Sequence, residues 1–168
     1  MLRRTVIAIG LVAVLLAGAA ITSATAASRS KSKTRAFSGT FTFHLAPPPC
    51  AALFCVRGVF HGGPFVSGSW DESVTTNTAL GPDRPGVFYG EGKFIIHTRL
   101  GDLPCAESYV FDLSPAGDKQ GGVICKFESG TRQMKGASGH LELYGSQPAG
   151  TAPGSVGAGR YGGKLTLP

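Results

Sequence analysis

The sequence predicts an all-β domain, a small antiparallel barrel of about eight short strands, with a β-sandwich as the alternative arrangement. Three observations predict it. Apolar residues recur with period two, and glycine- and proline-rich turn signals separate the alternating runs. With 25 glycines and 11 prolines in 168 residues, no stretch carries an amphipathic helix.

The chain opens differently. Arg3 and Arg4 precede an apolar run from Val6 to about Ala20, and Ser23-Ala24-Thr25-Ala26-Ala27 then supplies small residues at A-x-A spacing. That is the layout of a cleavable secretory signal over residues 1–26, cut before Ala27 or one residue later. The run is short of the roughly 20 residues that cross a bilayer. Both the general and the twin-arginine export routes fit the two arginines. Cleavage leaves 142 of the 168 residues, enough for one domain, so the expected localisation is secreted or cell-envelope. Residues 27–36 read as a basic, disordered arm, and 37–168 as a single barrel-like domain.

In order along that domain, strands are expected at 37–45, 55–61, 65–75, 86–99, 107–113, 121–128, 138–145 and 160–167. Phe37, Phe41, Phe43 and Leu45 share one face of the first, opposite Ser38, Thr40, Thr42 and His44. The alternation returns in Phe94 with Ile96, Tyr109 with Phe111, Leu141 with Leu143, and Leu165 with Leu167. Turns fall at Gly62-Gly63-Pro64, Gly81-Pro82-Asp83, Ser114 to Asp118 and Ser129-Gly130, and residues 146–159 read as a surface loop.

Cys50, Cys55, Cys105 and Cys125 all follow the signal, and an even count in an exported chain reads as two disulfides. Four cysteines allow three pairings. Proximity along the chain favours Cys50 with Cys55, clamping the Pro47-Pro48-Pro49 corner, and Cys105 with Cys125. Zinc is not expected, because these gaps do not match paired-cysteine zinc spacings and no two of His44, His61, His97 and His140 stand at a metal-binding step.

The formal charge of +6 is misleading as a guide to partners. Six of the sixteen basic residues lie before Phe37, and the remaining ten balance ten acidic ones. The body is near neutral and has no basic stripe interleaved with aromatics, so nucleic acid is not an expected partner. A short arm of this composition is ordinarily a solvated tail whose contact with an anionic cell surface is weak.

Candidate chemistry is sparse. Glu91, Glu107 and Glu142 fall on separate strands, as a carboxylate pair for acid/base work would. Alternation sets Glu107 on the face of Tyr109 and Phe111; facing an interior, it would be desolvated and hold its proton more tightly, whereas at a barrel mouth it would stand in water. His140 and Glu142 oppose Leu141 and Leu143 and should point outward. Ser138 lacks the flanking pattern of a nucleophile elbow and reads as a turn residue. Trp70 reads as core.

Gly121-Gly122-Val123-Ile124, then Gly130 through Gly136-Ala137-Ser138-Gly139-His140-Leu141-Glu142-Leu143, and finally Gly159-Arg160-Tyr161-Gly162-Gly163-Lys164-Leu165 resemble the glycine-rich ending of allene-oxide-cyclase-like and dirigent-type small β-barrels and of secreted bacterial relatives. The resemblance implies an architecture; plant members isomerise fatty-acid epoxides or guide radical coupling, but no position here matches their catalytic residues.

The expected function is therefore an exported, non-catalytic barrel that binds a small apolar ligand or a surface partner. Glu107, Tyr109, Phe111 and His97 are the candidate ligand-binding residues, with no cofactor and no metal. An isomerase or cyclase working inside a barrel cavity is the alternative, and a homo-oligomer is compatible with either.

Overall fold

A computed structural model describes residues 32–63, 66–114, 117–149 and 155–168. The described residues form β1 (Lys33–Leu45), β2 (Phe54–His61), β3 (Gly68–Val74), β4 (Thr78–Ala79), β5 (Val87–Thr98), β6 (Gly101–Asp112), β7 (Lys119–Phe127), a 3₁₀ turn (Arg132–Met134), β8 (Ser138–Gln147) and β9 (Gly157–Leu167). All pairings are antiparallel. The order β3-β2-β1-β9-β8-β7-β6-β5 closes on itself because the second half of β5 also pairs with β3, while its first half carries the two-residue β4. The result is a closed eight-stranded barrel plus one extra strand, and the sandwich alternative is set aside. Among the described residues no helix is long and apolar enough to cross a membrane.

Boundaries shift at several places. β1 begins at Lys33, where Lys33 pairs with Leu167, so the last four residues of the expected basic arm are strand; residues 1–31, with the expected signal and the rest of the arm, lie outside the described residues. β6 starts at Gly101, six residues earlier than the expected 107. Pro104 hid that start. Its carbonyl faces the β7 side and accepts from Glu128 N–H at 2.9 Å, while the return bond to Glu128 that its missing N–H would make falls just beyond the β6–β7 ladder proper, which begins at Cys105. Gly101 has φ 135° and closes the turn from Thr98, whose hydroxyl bonds Gly101 O at 2.8 Å. A Cβ there would meet Thr131 O, so the position needs glycine. Of the expected 146–159 loop, 146–147 belong to β8, which runs to Gln147, and 157–159 to β9, which starts at Gly157; residues 150–154 lie outside the described residues.

Alternation fills the barrel. Phe37, Phe41, Val56, Phe60, Trp70, Phe94, Ile96, Leu103, Val123, Leu141, Leu143, Tyr161 and Leu165 are all buried, as the period-two pattern requires. Leu45, expected on the same face, is 53% exposed because β1 has reached the barrel rim by then.

Seven inward glycines follow a rule of their own: each lies opposite a large side chain on the neighbouring strand, which lies across it. Phe37 covers Gly163, Phe41 covers Gly159, Phe43 covers Gly157, Tyr161 covers Gly39, Trp70 covers Gly58, Tyr109 covers Gly90 and Phe111 covers Gly121. A small barrel has too little interior for bulk on every strand, and glycine opposite an aromatic ring distributes what there is. The glycine-rich C-terminal segment is in this sense the counterpart of the aromatic β1.

One end is closed. Between β7 and β8, residues 128–137 fold over the β5–β6 turn, with Thr131 N–H bonded to Asp102 O at 2.9 Å and Gln133 N–H to Leu100 O at 3.0 Å. Met134, fully buried, is the plug. Above it an aromatic layer crosses the barrel, in which Trp70 stacks on Phe94 and Phe60 meets Tyr161 edge-on, both at 4.6 Å.

Candidate functional site

At the other end the strands leave a cavity of about 320 Å³. Its walls include Phe41, Phe43, Phe111, Val123 and Leu143, its inner end Trp70, Glu72 and Phe94, and its mouth Leu45, Leu113, His44 and Lys119. The mouth has an apolar rim: Leu45 and Leu113 are about half exposed, and Leu53, beside the lining Phe54, is 64% exposed. The volume falls near the lower end of the roughly 300–1,000 Å³ typical of small-molecule sites.

Two carboxyls stand inside the barrel. Glu72 on β3 and Glu107 on β6 are each 3% exposed, the only buried charged side chains among the described residues. Strand β5 lies between theirs, and its Gly92, opposite Glu107, leaves the space that the Glu107 carboxyl occupies; a Cβ there would collide with it. Glu72 faces the cavity and Glu107 lies behind it. Burial foremost, then the charge of Glu72 and the hydrogen bond between the two, pushes Glu107 up to about 9. Burial pushes Glu72 up to about 7, the bond from Glu107 working in the opposite direction. As carboxylates both groups only accept hydrogen bonds, and Glu72 Oε1 and both Glu107 oxygens are buried without a partner. A single proton on Glu107 turns it into a donor to Glu72, so between about pH 7 and about pH 9 the pair holds a shared proton and about one negative charge.

The other expected site residues separate. Phe111 lines the cavity, lying over Gly121 and stacked on Tyr109 at 4.6 Å. Tyr109 is buried with its hydroxyl already engaged, donating to Thr76 O at 2.6 Å and lying 3.0 Å from Asn77 Oδ1. Burial, then the charges of Glu72 and Glu107, pushes its proton affinity up to about 12, so it stays neutral. His97 is outside. Its neighbour Ile96 takes the interior, and the imidazole sits on the outer face between Asp102 (Nδ1 to Oδ1, 2.9 Å) and Asp71 (Nε2 to Oδ2, 3.0 Å). Asp71 in turn pairs with Arg57 at 2.9 Å. The bond to Asp102, with Asp71 adding to it, raises the histidine above its ordinary range. Since it shares no cavity with Glu107, His97 acts as part of an outer-face network stitching β2, β3, β5 and β6.

Glu72 is the residue that sequence reasoning passed over. Its signal was present: Trp70-x-Glu72-x-Val74 alternates, and a tryptophan in the core takes Glu72 inward with it. Glu91 and Glu142 are exposed, and Glu142 lies 3.9 Å from His140 on the outer face. Ser138 merely opens β8. No group of three metal-binding side chains gathers among the described residues.

Both disulfides take the pairing favoured by proximity, Cys50–Cys55 and Cys105–Cys125. The second is inside the barrel, with Cys125 directly opposite Glu107 in register. Two disulfides fit an extracytoplasmic location. Comparison with family models, with curated proteins and with solved structures finds no match for this chain, so its function is read from its own geometry.

Proposed function

We propose that this chain is an exported, non-catalytic binding protein that holds one small apolar ligand inside its barrel. The observation that carries the reading is the cavity itself: about 320 Å³, walled by aromatic and aliphatic side chains, closed at one end and rimmed with exposed leucines at the other. Apolar walls left open to water cost free energy, at roughly 25 cal/mol per Å² of surface, that an apolar guest recovers. The exposed leucines of the rim give such a guest an apolar path in beside the polar His44 and Lys119 of the mouth. On this reading the likeness to allene-oxide-cyclase-like and dirigent-type barrels extends to architecture and not to catalytic residues.

The test is binding of the uncharged fluorescent probe diphenylhexatriene to the wild-type chain, to Val123→Trp, which puts an indole into the cavity, and to Ile124→Trp, its outward neighbour. Wild type and Ile124→Trp should bind alike, and Val123→Trp should lose about tenfold or more in affinity, the overpacking itself costing about 1–3 kcal/mol of stability. Equal binding by all three sinks the reading.

One observation favours a second reading, an isomerase or cyclase: a carboxyl with proton affinity near neutrality faces the cavity, as a general acid or base would. It predicts that a bound ligand is converted, and that Glu72→Gln abolishes conversion while leaving binding in place. A ligand recovered unchanged after long incubation refutes it.

A further inference from the structure

Where those seven inward glycines are covered by aromatic rings, Gly92 is covered by the Glu107 carboxyl. That substitution of acid for ring makes an anionic spot in an apolar barrel. None of the ion pairs among the described residues involves Glu72 or Glu107, and the cavity's basic side chains, His44 and Lys119, are at the mouth. Apart from the proton the two carboxyls share, Glu72 Oε1 and both oxygens of Glu107 have no hydrogen-bond partner. A buried carboxylate with unfilled acceptor sites is costly, and sequences retain such a group where something else supplies the donor.

Beside Glu72 stand two aromatic rings. Trp70 is two residues away on the same strand, Phe94 is its partner on β5, and all three line the cavity's inner end. Stacked on each other at 4.6 Å, the rings wall the acid in with apolar surface, and the acid supplies the charge that a small cation would meet. An ammonium brings three donors to a place that has acceptors to spare.

We propose that the cavity takes an apolar molecule ending in a protonated amine, the ammonium seated on Glu72 beside the stacked Trp70 and Phe94 and the hydrocarbon filling the wall toward the rim. This rests on the apolar-ligand reading above and names the class of ligand. The two carboxyls divide the task. Glu72 carries the negative charge toward the guest, and Glu107 keeps the shared proton behind it, so the ammonium meets one anion and not two. Carboxylate-headed molecules such as fatty acids are disfavoured at this depth by like charge, and alcohols lack the charge that the site supplies. The titratable groups around Glu72 are Glu107 behind it, the neutral Tyr109 hydroxyl held by Thr76, and Lys119 and His44 at the mouth.

The test compares octylamine, octanol and octanoate, three guests of one length, as competitors of diphenylhexatriene at about pH 8, where Glu72 is ionised and Glu107 is not. Octylamine should compete about tenfold or more better than octanol, and octanoate worse than either. Glu72→Gln keeps shape and removes charge; it should bring octylamine down to octanol or below while octanol changes by about twofold at most. The wild-type ranking decides even if that variant does not fold. If octanol or octanoate equals octylamine while Val123→Trp still blocks the probe, the amine proposal fails and the cavity reading stands. If the probe itself does not bind wild type, the cavity reading fails, and this proposal with it.

Discussion

Replacing Glu107 by Gln removes one of the two buried titrations and leaves the shape, so it isolates what the carboxyl pair does to the fold. In the unfolded chain both glutamates lose their protons near 4.5; in the barrel they keep them to about 7 and about 9. A folded-state proton affinity above the unfolded one stabilises fully below the unfolded value, and that contribution disappears as pH rises through the folded value. Each group therefore withdraws stability at up to about 1.4 kcal/mol per pH unit, about 2.8 for the two together between about pH 5 and 7, and about 1.4 above that while Glu107 alone stays protonated. Several kcal/mol is a large part of the 5–15 kcal/mol that holds typical domains. Urea unfolding under non-reducing conditions, followed by the emission of Trp70, the single tryptophan, reads this directly. Wild-type stability should fall from about pH 5 to about pH 8, and Glu107→Gln should fall about half as steeply and be the more stable protein at the alkaline end. His97 also has a raised proton affinity and loses its contribution in the same direction, but it is present in both proteins and cancels in the comparison. A wild-type profile that is flat or rises over this range, or an unchanged slope in the variant, would refute the buried pair.

Two further outcomes follow from the packing. Gly157→Val sets a branched side chain where the Phe43 ring lies, so it should destabilise by about 1–3 kcal/mol in the same urea assay, and the double change Gly157→Val with Phe43→Ala should recover part of that loss; additive losses would show that ring and glycine are not a pair. Removing Cys105–Cys125, whose ends are 20 positions apart in sequence, should cost about 3 kcal/mol on chain-entropy grounds and removing Cys50–Cys55, 5 positions apart, about 2, so calorimetric midpoints should fall further for the first.

Much of the barrel was legible because its signal is local. Whether a residue faces in or out depends on counting by two, and Phe37, Phe41, Phe94, Ile96, Leu141 and Leu143 all face as that count requires. The disulfides were legible for a similar reason, since nearness along the chain became nearness across a turn or between adjacent strands. The site was legible by half. Glu107 was placed on the face of Tyr109 and Phe111, but whether that face met water depended on the depth of β6 in the barrel, and β6 begins six residues before its alternation becomes visible. Its partner Glu72 lies on a strand that is not adjacent, and only the glycine between them on β5 records the encounter. His97 attracted attention by chemical type, while its neighbour Ile96 decided its direction.

The glycines placed opposite rings also settle a question that hydrophobicity leaves open. Sliding β1 past β9 by two residues preserves which side chains face the interior, so apolar patterning cannot tell that arrangement from the native one. Bulk can. In the native register Phe37, Gly39, Phe41 and Phe43 meet Gly163, Tyr161, Gly159 and Gly157. Slipped by two in either direction, Gly39 would meet another glycine and leave a hole, while a phenylalanine would meet Tyr161 and jam. The sizes of facing side chains work like the cut of a key, admitting one alignment of two strands whose polarity alone would accept several.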